Sequence, residues 1–369
     1  MEKTIFVSIA SYRDIYCLKT LNSLYSNAKH PENIYVGLCI QNKEDDEDCF
    51  LKDEKYAKNI RTIRLKDYEA KGPTWARYLC TTLINKEDYF LQIDSHTLFA
   101  QDWDDKLISM IQEIKENTVS KDVVISHYPP EYSDRDNQNV DNTKPNTICE
   151  PNFQPNGVIS FSGSQPVNTT KYIKTPFVAA GMFFCEGKCI HDVPYDPNLP
   201  NLFVGEEILH SARIWTSGYD IYSPTQNVVY HLYTRSDQPH IWDDKKNYND
   251  SDAVNKVKML LKLDGGGEVP SYVNENIEKY GLGTKRSLEE FYEFAGIDIK
   301  EKKFHKNFCE TVENYEGPSD NSSIFGVKNT ITKIIIFIAF LVGCLVLYKM
   351  FFKKSGLDNK RVKFQFNRM

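Results

Sequence analysis

The 369-residue chain has no excess of positive charge: 45 Lys and Arg stand against 51 Asp and Glu, a net charge of −6. Without a basic field, nucleic acid is excluded as a general partner. Regular cysteine spacing is also lacking. Nine scattered cysteines, an odd number, argue against a disulfide framework. Cys185 and Cys189 form the one close pair, and no second pair at zinc-ligand spacing follows them, so they read as reduced and structural. No secretory signal opens the chain, because the apolar run after Met1 is short, alternates like a strand and lacks a small-residue cleavage pattern. Gly265-Gly266-Gly267 is a break and not a phosphate loop, since no strand leads into it and no Lys-Ser/Thr follows. No internal repeat is visible.

Long apolar runs are missing until the end. Ile334 to Tyr348 carries no charge, and Lys333 and Lys349 can snorkel, so residues 331–352 approach the about 20 residues that a bilayer span requires. This predicts a C-terminal transmembrane helix and a lipid bilayer as partner. A basic tail follows at 353–369, with six Lys and Arg against Asp358. Two rules conflict over orientation. The positive-inside rule keeps this tail in the cytosol and sends the large domain across. An anchor that inserts after synthesis leaves the large domain on the cytoplasmic side, and reduced cysteines fit that arrangement, which is the one expected here. The triplets at Asn168, Asn249 and Asn321 match the glycosylation pattern and would be used only in the other topology.

The first 130 residues alternate short apolar strands with helical stretches. Strands are predicted at 4–11, 33–41, 60–66, 88–94 and 122–129, and helices at 15–29, 71–84 and 102–117. Gly72-Pro73 marks one helix start, and the acids at the head of 102–117 suit another. This rhythm predicts an α/β fold with a mainly parallel sheet covered by helices on both faces. Residues 130–175 are polar and Pro-rich and read as a long loop. Strand character returns at 175–187 and 227–235, and helices follow at 206–217, 251–264 and 286–296. The expected divisions are a catalytic domain over 1–250, a helical extension and linker over 251–325, the span and the tail.

In such sheets ligands bind beyond the carboxyl ends of the strands. Ser11-Tyr12-Arg13-Asp14 and Asp94-Ser95-His96 both fall there. Asp94 and His96, two positions apart in a turn, can converge on one divalent cation, although Asp-x-His is short and equally suits a turn acid beside a partly buried imidazole. His231 sits inside the apolar run VVYHLY, where an imidazole without a partner is costly. Glu206 and Glu207 open a helix after Gly205, where dipole compensation is the simple alternative. Arg235 can serve a phosphate or pair with an acid.

The ordered set VSIASYRD, KGPTWARYL, YFLQIDSH, GMFFCEG, FVGEEI and VVYHLYTR, over about residues 4–245, resembles the GlcNAc-type glycosyltransferases. It is similar to the cytosolic polypeptide-hydroxyproline N-acetylglucosaminyltransferases and, further off, to the mucin-type polypeptide GalNAc-transferases. The span and basic tail depart from the soluble hydroxyproline enzymes. The resemblance implies a GT-A fold, a UDP-sugar donor and a divalent cation, typically Mn2+. It implies that Asp94, His96 and His231 are metal ligands, and that Ser11, Tyr12, Arg13 and Asp14 bind the nucleotide. It implies that Trp75 and Arg77 line the donor pocket, and that Glu206 and Glu207 touch the donor sugar or acceptor. The implied reaction is retaining transfer, of GlcNAc from UDP-GlcNAc, to a hydroxyl of hydroxyproline, Ser or Thr in a protein. Two rivals stand beside it. One is an inactive sugar- or partner-binding module on the same fold. The other is a nucleotidyltransferase, which usually needs more carboxylates around paired metals than the one acid at this strand end.

Overall fold

A computed structural model describes residues 3–51, 54–139, 141–149, 151–161, 164–166 and 172–308. Ten strands matter for the site. They are β1 (Ile5–Tyr12), β2 (Ile34–Asn42), β3 (Ile60–Lys66), β4 (Tyr89–Asp94), β5 (Thr97–Phe99) and β6 (Val123–Ser126). The later ones are β7 (Ile173–Thr175), β8 (Met182–Glu186), β9 (Asp220–Ser223) and β10 (Val229–His231). The helices used below are α1 (Cys17–Ser26), α2 (Pro73–Thr81), α3 (Trp103–Asn117), α4 (Glu206–Thr216), α5 (Ser251–Leu260) and α6 (Leu288–Ala295).

Eight strands form one sheet in the order β7-β9-β6-β8-β4-β1-β2-β3. β3, β2, β1 and β4 pair in parallel, as do β6 and β9, while β8 runs antiparallel between β4 and β6 and β7 runs antiparallel on β9. The mainly parallel sheet therefore carries two reversed strands. The residues 130–175 allow the first reversal: the chain leaves β6, folds into short hairpins at 146–166 and returns from the opposite direction. β8, with Met182 to Cys185 fully buried, reads as a continuous apolar run because it has a neighbour on each side.

Alternation along β1 sorts the core. Ile5, Val7 and Ile9 pack with Leu21 and Leu24 of α1 and with Trp103, Leu107 and Ile111 of α3. Phe6 faces the other way, with Phe90, Phe183 and Ile214 of α4. Helices thus cover both faces. Phe6 fits because its ring lies over Gly37 of β2, where a Cβ would sit 2.1 Å from the ring. The Trp103 indole N–H donates to Leu24 O at 2.9 Å, tying α3 to α1. Asp104 accepts the backbone N–H groups of Lys29 and His30, both at 2.8 Å. A second core joins α4, α5 and α6 through Leu209, Ala212, Val257, Phe291 and Phe294, so residues 251–297 pack onto the helix that begins at Glu206.

The cysteine expectation needs correction. Cys17 and Cys49 form a disulfide with Cα atoms 5.4 Å apart, and Cys149 is also disulfide-bonded. The fold brings together residues 32 positions apart, which linear spacing does not reveal. The free cysteines among the described residues, Cys39, Cys80, Cys185 and Cys189, are all buried. Among the described residues no helix is long and apolar enough to cross a membrane, and the span expected at 331–352 lies outside them.

Candidate functional site

The carboxyl edge of β1 and β4 opens into a cavity of about 780 Å³. Two left-handed glycines shape its rim. Gly72, at φ +91°, starts α2 with a Cβ position only 2.8 Å from the Asn201 backbone. Gly205, at φ +101°, starts α4 against Val158. These helix starts aim Arg77 and the Glu206-Glu207 pair into the cavity wall.

After Asp94 ends β4, the turn Asp94-Ser95-His96 leads into β5, which pairs antiparallel with β10 in a separate two-stranded ribbon. His231 lies opposite Thr97 in this register, so its ring meets that of His96. The His231 Nε2–H can donate to Asp94 Oδ2 at 3.0 Å, and the Nε2 atoms of His231 and His96 lie 3.1 Å apart. One ligand atom from each of Asp94, His96 and His231 falls within a 4.8 Å cluster.

Asp14 fixes one of these rings. It is buried directly behind the cluster, where its Oδ2 accepts from His96 Nδ1 at 2.7 Å, Ser95 Oγ at 2.6 Å and Arg235 at 3.2 Å. With Nδ1–H donated to Asp14, the His96 Nε2 carries a lone pair directed at Asp94 and His231. Burial pushes the His96 imidazole down in pKa despite Asp14, which favours the neutral ligand form. Burial would raise the Asp14 carboxyl, but the His96 hydrogen bond and the Arg235 charge hold it below the ordinary carboxylate range. Burial acts on Asp94 in the same sense and is outweighed by the His231 hydrogen bond and the Arg77 charge, so Asp94 stays ionised. A neutral imidazole held by a carboxylate, a second imidazole and an ionised acid make a donor set that suits a divalent first-row cation.

Arg77 is buried between two acids, donating to Asp94 Oδ1 at 2.9 Å and pairing with Glu206. Burial pushes the Glu206 carboxyl up, against the pull of Arg77. Burial also raises Glu207 to about 7, although it accepts from Tyr128 OH at 2.6 Å and from the Ala180 N–H at 2.8 Å.

Of the residues expected at the site, Tyr12, Arg77, Asp94, His96, Glu206, Glu207, His231 and Arg235 line the cavity. Ser11, Arg13, Asp14 and Trp75 do not. Ser11 is buried in β1. Arg13, at φ +47°, grips Asp46 at 2.8 Å and Asp244 at 2.8 Å. Trp75 is half-buried on α2 with the Lys71 ammonium 5.2 Å from its ring centre, outside the wall. The Tyr12 hydroxyl donates to Asp244 at 2.8 Å. Tyr128, Tyr233 and Trp242 also line the cavity and were not anticipated. Tyr128 closely follows β6 at the same carboxyl edge, a position that could have identified it. No linear signal marks Trp242 or Asp244.

A family model for Glycosyltransferase (GlcNAc) matches residues 4–58 and 51–301. No curated protein matches the sequence. Among solved structures, GalNAc-T7 with UDP, GalNAc and Mn2+ is similar at 14% identity and a TM-score of 0.52, over 79% of this chain and 56% of that one. This chain thus spans little more than half of GalNAc-T7. S. aureus TarS 1–349 in complex with UDP-GlcNAc is similar at 13% identity and a TM-score of 0.43, over 75% of this chain and 71% of that one. The structural likeness concerns the fold, a mixed α/β architecture with a large central sheet resembling GT-A glycosyltransferases. With the family model covering most of its length, the chain belongs to the GlcNAc glycosyltransferase family.

Proposed function

We propose that this chain is a metal-dependent glycosyltransferase that moves GlcNAc from UDP-GlcNAc, with retention, to a hydroxyl of a protein acceptor such as hydroxyproline, Ser or Thr. The observation that carries this reading is the convergence of Asp94, His96 and His231 at the sheet edge, with Asp14 locking His96 in the ligand tautomer. Asp94, His96 and His231 would hold a divalent cation, which would supply the positive charge that a departing nucleoside diphosphate requires.

The chain's own residues do the rest. Arg77 fixes the Asp94 carboxylate by taking its Oδ1, leaving Oδ2 on the side of the histidines. Glu206 balances Arg77, so the buried guanidinium is paired on both sides. Glu207, with its carboxyl near 7, can accept or donate a hydrogen bond to a sugar hydroxyl in the cavity. In the transfer, the bond from C1 to the β-phosphate oxygen breaks and a bond from C1 to the acceptor oxygen forms. The acceptor proton leaves with the diphosphate, so no carboxylate across the ring is needed. In GalNAc-T7 the solved structure contains UDP, GalNAc and Mn2+, a ligand set consistent with this reading.

The test is UDP release by the purified full chain across a panel of UDP-sugars, with Mn2+ and with chelator. Metal-dependent release, greatest with UDP-GlcNAc and abolished in His231→Ala, is expected. Release from none of the UDP-sugars would leave the inactive binding module as the better account.

A further inference from the structure

The Cys17–Cys49 disulfide ties the start of α1 to the acidic loop after β2, and Cys149 is disulfide-bonded as well. Every free cysteine among the described residues is buried. A chain with two linked sites and no exposed free thiol among its described residues is the pattern of a domain that folds in an oxidising compartment. The basic tail at 353–369 points the same way. If the apolar run 331–352 anchors the chain, the positive-inside rule holds that tail in the cytosol and places the preceding domain on the opposite side.

In that compartment the triplet Asn249-Asp250-Ser251 meets the requirements for an N-linked glycan. Asn249 is exposed, in the loop that enters α5. Its Oδ1 accepts the Ser251 N–H at 3.0 Å, an Asx turn that holds the Asn and the hydroxyl-bearing residue on one bend. Its backbone carbonyl accepts from Asn201 at 2.9 Å, so the loop is held by its backbone while no hydrogen bond among the described residues engages Nδ2. Asn168 and Asn321 lie outside the described residues.

We propose that this domain matures in an oxidising compartment and carries an N-linked glycan on Asn249. The modification joins Asn249 Nδ2 to C1 of an oligosaccharide supplied by a lipid-linked diphosphate donor. The C1–O bond to the phosphate breaks, and one amide proton leaves. The inference is independent of which sugar the cavity uses. It reverses the cytoplasmic placement expected from the sequence.

The experiment expresses the full chain in cells with a secretory pathway and maps the peptide containing Asn249 by mass spectrometry, with and without an N-glycan-cleaving amidase. A glycosylated Asn249, removed by the amidase and lost in both Asn249→Gln and Ser251→Ala, is expected. Alkylation under non-reducing conditions should find Cys17 linked to Cys49 in the same preparation. An unmodified Asn249 overturns the proposal whether or not the disulfide forms. Glycosylation that persists in Ser251→Ala overturns the assignment to this triplet. UDP release measured alongside separates this result from the donor chemistry, because neither substitution lies in the cavity.

Discussion

Asp14→Asn tests the metal site through a residue that is not itself one of the three proposed ligands. The wild-type carboxylate accepts from His96 Nδ1 at 2.7 Å and can do so only while that nitrogen carries the proton. An asparagine can present its NH2 group to His96, which reverses the tautomer and leaves Nε2 protonated, unable to ligate. If it presents its oxygen instead, the hydrogen bond survives but loses its charge. Loss of such a partner behind a ligating imidazole typically weakens metal affinity about 10- to 100-fold, or about 1.4 to 2.8 kcal/mol. Arg235 and Ser95 also lose a charged acceptor, so folding must be measured separately. The assay is a titration of the full chain with Mn2+ alone, followed by magnetic resonance of the free ion, beside a thermal melt. Ser95→Ala removes one neutral donor from the same oxygen and is expected to shift affinity only a few-fold. An Asp14→Asn chain that melts normally and binds Mn2+ as wild type does would refute the reasoning that Asp14 sets the ligand tautomer.

Three further outcomes follow from the geometry. Cys17→Ser opens a loop of 32 residues and should lower stability by about 3 to 4 kcal/mol on the chain-entropy relation, read as a denaturant midpoint shift. Glu207 titrates near 7 in the fold against 4.5 when free, so the native state binds the extra proton. Stability should therefore fall as pH rises from about 4.5 to 7, by about 2 to 3 kcal/mol after allowance for cavity water, and Glu207→Gln should flatten that slope in melts across pH. Gly205→Ala combines a φ of +101° with a Cβ 2.8 Å from Val158 Cγ1; it should cost about 1 to 3 kcal/mol and raise KM for the donor by displacing Glu206 and Glu207. A variant with unchanged melting and KM would show that this turn tolerates a side chain.

Periodicity located β1 to β4 and the helices between them because β1, β2 and β4 are apolar runs, β3 is a short β-rich segment with apolar residues set among polar ones, and each helix carries an amphipathic stripe. It did not show that β8 is reversed, since a strand with two neighbours looks alike in either direction. β5 and β9 escaped notice for being short, and β9 for its polar ends, Asp220 and Ser223. At the site, Asp94, His96 and His231 were legible as polar residues set against apolar runs. The role of Asp14 was not, because its position behind His96 depends on how β1 and β4 align. The family resemblance implied Trp75 in the wall beside Arg77, but Arg77 lines the cavity and Trp75 does not.

Asp94 and His231 stand 137 positions apart in the chain, and Arg77 and Glu206 stand 129 apart. A nascent chain therefore displays most of its sheet well before it owns a complete donor set. On the proposed metal reading, tight uptake of a cation would become possible only when β10 docks on β5. Metal affinity is thus a readout of a finished fold, and a fragment ending before residue 229 should hold Mn2+ no better than an ordinary acidic surface does.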